Sequence, residues 1–338
     1  MERLIQANGQ PHYGIFSSAP GEVNYRDFDF RSPMGRRLGA LAKWRRFHQF
    51  QYFGLISDEL IGGCALANLS LLGVGFVYLF HPASGRMIEH QFRMPLGLGT
   101  DFSQQPNAGV CELRSGRNLL RLENDAATRE KRLLVELADG TRIEASFSEA
   151  QPAFQPMCVC TPTAVNGWVY AQKVAGVRCT GQVRSTLGDF DLAQLGAFAH
   201  HDWSAGYMRP ETHWNWACLS GAVGEVRVGL NLSCGVNETS FSENCYWLDG
   251  ELLPVSGVHF QFDRDQPLQP WSIRSSDGQV ELRFVGEGLH RERLNLGVLA
   301  SNFKQVFGRF EGILRPPGRE AVRIEQLWGF VEDQYVKW

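Results

Sequence analysis

Lysine is scarce in this chain: only five of its 33 basic residues are Lys, and the formal net charge is −3. That balance excludes the strongly basic footprint of a protein whose main partner is nucleic acid. The eight Cys are scattered, without the density of a disulfide scaffold. The leading MERLIQANGQPHYG contains no apolar h-region, so the expectation is a reduced, cytoplasmic protein without a secretory signal. The sequons at Asn68, Asn231 and Asn237 are then chance matches. There is no GxSxG elbow, Walker A motif or HExxH. Cys158-Val-Cys160 has one intervening residue where zinc knuckles use roughly two to four. Gly73-Val-Gly75 lacks the third glycine and the following helix of a dinucleotide fingerprint. No metal and no nucleotide cofactor is implied.

Helical periodicity is also scarce. Arg36–His48 could form a short helix, with Leu38, Leu41 and Trp44 spaced three apart. Its basic face reads as solvated or as a peripheral contact with a lipid surface. The charge-rich segment Asn118–Arg132 is the other helical candidate. Leu60–Phe80 carries no charge over 21 residues, long enough to span a bilayer. Its four Gly and the break at Asn68-Leu69-Ser70 suit two buried strands better.

What the sequence does contain is strand signal. Gly (36) is abundant and aromatics reach 12%, a combination suited to many short strands joined by tight turns. Lys131–Ser148 alternates on both sides of Asp139-Gly140, and Ser272–Val285 does so around Asp277-Gly278, each reading as a hairpin. Glu225–Cys234, Val258–Asp263 and Val322–Phe330 alternate likewise. The expectation is an all-β protein of two tandem antiparallel barrel or sandwich domains with few short helices. Three Pro in Glu149–Pro162 suggest domains of 1–155 and 156–338, the second carrying the candidate site.

That candidate is His200–Cys218, with three Trp, three His and two acids in nineteen residues. As a strand, Trp214, Trp216 and Cys218 share one face while His213, Asn215 and Ala217 share the other, and either face can point inward. The Trp pair is then a flat wall for an apolar ligand, or simply core. Asp202, beside Trp203, is a proton donor if desolvated, or a turn cap or partner of Arg209. His200 and His201 point to opposite sides of any strand and make a poor metal pair. Arg209 is an anion clamp or part of an internal ion pair. Glu243 is a second acid or a solvated loop residue, and Tyr246 is a potential donor. Asn231, in the alternating segment Glu225–Cys234, is a ligand contact. Asp249-Gly250 reads as a turn.

HHDWSAGYMRPETHWNWACLSG, GLNLSCGVNETSFSENCYWLDGELLP and the terminal FGRFEGILRPPG…LWGFVEDQYVKW resemble the bacterial DUF2804 family of uncharacterised proteins. KWRRFHQFQYFGLISDELIGGCALANL looks like that family's N-terminal portion. The family is distantly similar to the lipocalin-like AttH and carotenoid 1,2-hydratase group. Fungal Diels–Alderase-type cyclases and a yeast ceramide-handling protein look similar in architecture. The resemblance implies two calycin-like barrels, with a ligand in a barrel mouth or between domains. In the hydratase group a His-x-Trp pair and a later Tyr-x-Asp pair belong to the site. His201 and Trp203 match the first pair; Val226–Asn231 contains neither Tyr nor Asp, leaving Asp202 as the nearest substitute acid.

Together these readings give a protein that binds an apolar small molecule such as a lipid, isoprenoid or polyketide. It either catalyses a cofactor-free hydration, isomerisation or cyclisation, or only carries the molecule. In the catalytic version Asp202 donates the proton, Trp203, Trp214 and Trp216 shield a developing cation, and His201 or His213 orients water. A third reading is a carbohydrate-active protein with Asp202 and Glu243 as paired carboxylates.

Overall fold

The computed structural model describes residues 1–150, 153–236, 240–295, 297 and 299–337. The sequon at Asn237 lies outside the described residues. Strands dominate, and every ladder between named strands is antiparallel, matching the all-β expectation. They form three sheets, of eight, seven and nine strands.

The eight-stranded sheet is the middle layer. Its order is Gly14–Phe16, Met157–Thr163, Gly167–Arg178, Phe198–Gly206, His48–Ile56, Ile61–Asn68, Leu72–His81, Arg86–Pro95. One face packs on the seven-stranded sheet, through pairs such as Phe53 with Phe147. The other packs on the nine-stranded sheet, through Tyr52 with Trp216 and Phe80 with Phe307. Burial on both sides explains why its inner strands read as continuous apolar runs. The uncharged run Leu60–Phe80 is accordingly two of these strands, Ile61–Asn68 and Leu72–His81. Among the described residues no helix is long and apolar enough to cross a membrane.

Turn chemistry was a reliable guide. Lys131–Ser148 forms the strands Glu130–Glu136 and Arg142–Ser148, with Gly140 at φ 92°. Asp249 and Gly250 both hold positive φ between Cys245–Leu248 and Glu251–Pro254, as a two-residue hairpin turn with right-handed strand twist requires. The basic segment forms the helix Ala40–Arg46. Asn118–Arg132 is not helical: it contributes to the strands Asn118–Asp125 and Glu130–Glu136, with Arg121, Glu123 and Arg132 on the outer face of an outer sheet and Lys131 buried 3.2 Å from Glu149.

The division at 155/156 does not match the sheets. Met157–Thr163, Gly167–Arg178 and Phe198–Gly206 pair back onto the N-terminal strands, so the change of sheet comes at 207–210. Pro156 stands where the chain crosses from the outer sheet to the middle sheet of the same half, and Pro162 lies inside the strand Met157–Thr163. From Glu211 onward the chain builds the nine-stranded sheet, which curls until Val226–Cys234 approaches Val258–Gln261 and encloses its own core. Its long strands Val280–Asn295, Ala300–Leu314 and Val322–Lys337 serve two cores. One face lines the C-terminal interior through Val306, Phe310 and Val331, and the other places Phe307, Trp328 and Phe330 on the middle sheet.

Candidate functional site

Between the middle sheet and the nine-stranded sheet lies a cavity of about 270 Å³, just under the roughly 300–1,000 Å³ typical of small-molecule sites. Period-two alternation decides what faces it. Phe50, Val74 and Phe76 line it from the middle sheet, and Trp214, Trp216 and Phe303 from the opposite one. Ala65 and Ala67 share the cavity-side row of the middle sheet, and Ala67 is itself part of the wall.

One region of the wall is charged. Lys173, opposite Asp202 in the ladder, donates to Asp202 Oδ2 at 2.6 Å and lies 3.5 Å from Glu243 Oε1. Ser204 donates to the other Asp202 oxygen at 2.7 Å. The Lys173 ammonium also sits 4.9 Å from the Trp216 ring centroid, a cation–π contact. Burial works against the Lys173 charge, but the facing carboxylates of Asp202 and Glu243 outweigh it and hold the ammonium above its ordinary range. Burial raises the Asp202 carboxyl, with Lys173 pulling in the opposite direction.

Glu332 completes the group from the strand Val322–Lys337, paired with Trp216 on one side and Gln305 on the other. Its carboxyl accepts from Trp214 Nε1 at 3.2 Å and Gln305 Nε2 at 2.9 Å. Burial raises it to about 7, against the pull of those donors and of Lys173. One ammonium thus stands among three buried carboxyl groups. Full ionisation would leave a buried net charge of about −2 at a cost of several kcal/mol per ion, and a proton retained on Glu332 relieves it.

Next to this group, Tyr52 Oη lies 2.6 Å from Tyr78 Oη and 3.0 Å from His200 Nε2. Gly54 and Gly63 make the room: a Cβ on Gly54 would collide with His200, and one on Gly63 would come 2.6 Å from the Tyr52 ring. Burial holds the Tyr52 and Tyr78 phenols well above their ordinary range and lowers the His200 imidazole to about 3. The three are therefore neutral at physiological pH.

Of the residues singled out from sequence, Asp202, Glu243, Trp214, Trp216 and Arg209 line the cavity. Asp202 pairs with Lys173 rather than with Arg209. Asn231 stands behind the wall, accepting from Trp216 Nε1 at 2.8 Å and donating to the Glu243 carbonyl at 2.9 Å. The other four lie elsewhere. His201 and Trp203 point to the opposite face of the middle sheet, His201 onto Gln51 and Phe147, and Trp203 onto Tyr170. Burial pushes the His201 imidazole well below its ordinary range, so it is neutral. His213 projects from the far side of its strand, 3.4 Å from Asp333 and 2.8 Å from Arg264. Tyr246 is packed inside the C-terminal core with its hydroxyl donating to Gln279. The paired-carboxylate reading of Asp202 and Glu243 is not favoured, since one ammonium holds both.

Sequence reasoning missed Lys173, Glu332, Gln305 and the Tyr52–Tyr78–His200 group. A signal existed for Lys173: it is the sole charge in Gly167–Val177, an apolar stretch. For Glu332 the signal is weaker, an acid directly after Leu327-Trp-Gly-Phe-Val331.

Residues 3–338 match the sequence profile described as Domain of unknown function (DUF2804). No curated protein matches the chain in sequence. Among solved structures, CghA with Sch210972 is similar at TM-score 0.60 and 10% identity, over 87% of this chain and 89% of that one. CghA in a second structure aligns at TM-score 0.58 and 10% identity, over 88% and 89%. Kievitone hydratase from Nectria haematococca aligns at TM-score 0.54 and 10% identity, over 85% and 88%. At such identity the likeness is one of fold.

Proposed function

We propose that this chain, which belongs to the DUF2804 family, takes an apolar small molecule of lipid, isoprenoid or polyketide type into the cavity between its sheets and performs cofactor-free acid–base chemistry on it. The reaction class is hydration, isomerisation or cyclisation. The carrying observation is the charged group on an otherwise apolar wall: Lys173, Asp202, Glu243, and Glu332 with its carboxyl raised to about 7. A carrier needs only shape and apolar surface, whereas desolvating four ionisable groups costs free energy that proton transfer gives a reason to retain.

In this reading the acid is Glu332 rather than Asp202. A carboxyl titrating near neutrality is matched to both giving and recovering a proton. It protonates an alkene or carbonyl of the bound molecule. Positive charge developing there faces the rings of Trp214 and Trp216 and the carboxylates of Asp202 and Glu243. Lys173 holds those two carboxyl groups in place at 2.6 and 3.5 Å, and Asn231 and Gln305 fix Trp216 and Glu332. A protein named a hydratase on a similar fold supports the reading by fold analogy alone.

The test begins with organic extraction of freshly purified protein and mass spectrometry of what is released. The compound class found, or a panel of fatty acids, isoprenoids and polyketides, is then incubated with wild type and Glu332→Gln. The expected result is turnover that Glu332→Gln removes while binding persists. Binding without turnover by wild type would make the protein a carrier. Failure to bind the panel and the neutral probe N-phenyl-1-naphthylamine would refute the cavity as a ligand site.

A further inference from the structure

Leu69 and Leu72, at one end of the middle sheet, belong to the cavity wall. There three short segments are tied together. Ser70 Oγ donates to the carbonyls of Trp44 (2.7 Å) and Phe47 (3.0 Å), fastening the turn at 69–72 to the end of the helix Ala40–Arg46. The Leu96 amide donates to the Leu71 carbonyl at 2.8 Å, fastening the turn at 95–98 to the same place. The helix buries none of its residues. Across these segments Leu41, Trp44, Leu71, Leu96 and Leu98 are between 40% and 76% exposed. Leu96 moreover holds a left-handed conformation (φ 56°), where turn chemistry favours Gly, Asn or Asp over a large apolar side chain.

The charge of the helix segment itself has one sign. Residues 31–46 contain six basic residues and no acid, in a protein whose net charge is −3. Asp29 pairs with Arg31 and Arg37, and Lys43 donates to the Arg26 carbonyl. Arg36, Arg45 and Arg46 form no ion pair among the described residues. Exposed Leu and Trp interleaved with unpaired Arg is the composition of a surface that lies on anionic lipid: the apolar groups enter the headgroup boundary while the cations meet phosphates. A second copy fits less well, because a two-fold contact would set the same cations against each other.

We propose that this end of the molecule docks on an anionic bilayer surface through the helix Ala40–Arg46 and the turns at 69–72 and 95–98. Docking there sets the end of the cavity wall that carries Leu69 and Leu72 against the membrane, so that an apolar molecule passes between bilayer and protein without crossing water. The docking itself stands apart from the chemistry assigned to the cavity, because it is read without any ligand.

The experiment is flotation of the full chain with vesicles of equal parts phosphatidylglycerol and phosphatidylcholine, against vesicles of phosphatidylcholine alone, at low ionic strength. Two variants accompany it, Leu41→Ser with Leu98→Ser and Arg45→Gln with Arg46→Gln. All four side chains lie outside the cavity wall, and circular dichroism and thermal unfolding check the fold. Wild type is expected to float with the anionic vesicles only. Affinity should fall about five-fold for each Arg removed and about ten-fold in the Leu variant. Absence of flotation with anionic vesicles, or flotation unchanged in both variants, would overturn the proposal. So would a wild-type dimer in light scattering that the Leu variant dissociates, since the patch would then belong to a second copy.

Discussion

Replacing Glu332 with Gln should stabilise this protein above neutral pH and leave it nearly unchanged in acid. The carboxyl is raised from 4.5 to about 7 by burial. Because the folded-state value lies above the unfolded one, the folded chain binds the extra proton between those two pH values. Stability therefore falls as pH rises through that window, and the loss is complete above about pH 7. At roughly 1.4 kcal/mol per unit, the full difference amounts to about 3 kcal/mol. Gln has the shape of the protonated acid and does not titrate. The stability of Glu332→Gln minus that of wild type should thus be small at pH 5 and grow by about 2–3 kcal/mol by pH 8. Reversible urea unfolding followed by circular dichroism at both pH values measures it, and Asp202 and Lys173, which titrate in both proteins, largely cancel in the subtraction. A difference that stays constant with pH would mean that Glu332 is ionised in the folded protein at neutrality. That result would remove it as the acid.

Lys173→Met should cost about 3–5 kcal/mol near pH 8, because it removes the ammonium that faces the buried carboxyl groups of Asp202 and Glu243. The lesion should shrink on acidification as the raised Asp202 carboxyl takes up a proton, which chemical denaturation at two pH values would show. Gly54→Ala places a methyl group against His200 and 2.7 Å from Tyr52 Oη; a loss of about 1–3 kcal/mol in unfolding free energy is expected. Trp216→Ala should weaken N-phenyl-1-naphthylamine binding by about ten-fold or more in a fluorescence titration, while Trp203→Phe leaves it unchanged. Equal effects from the two would show that the probe sits elsewhere.

Where the sequence alternated between one wet and one dry face, it could be read almost residue by residue. The hairpin at Asp139-Gly140 and the turn at Asp249-Gly250 both fall where turn chemistry puts them, because positive φ and period-two burial are local. The middle sheet has no such contrast. His48–Ile56, Gly167–Arg178 and Phe198–Gly206 are buried on both faces, so apolarity says strand without saying which side faces what. The His-x-Trp resemblance and the density of His, Asp and Trp place His201, Asp202 and Trp203 in one candidate site, yet alternation divides them. Asp202 faces Lys173 and the cavity, while His201 and Trp203 face the other layer. The same alternation separates Trp214 and Trp216 from His213, a division the pattern did reveal, though not which set faced the cavity.

The charged group was hidden for a different reason. Its members come from Gly167–Arg178, Phe198–Gly206, the segment before Cys245–Leu248 and Val322–Lys337, and only the stacking of two sheets brings them together. Motif spacing cannot encode a contact made across layers. Desolvation nevertheless leaves a local trace of it. A Lys alone in an apolar strand must either surrender its charge or be met by acids from elsewhere in the fold. Lys173 between Val169 and Val177 is such a residue, and the carboxylates of Asp202 and Glu243 are what meet it. Glu332, buried beside them, is raised to about 7 by desolvation against the pull of Lys173 and of its Trp214 and Gln305 donors, which makes it the group whose proton moves near neutral pH.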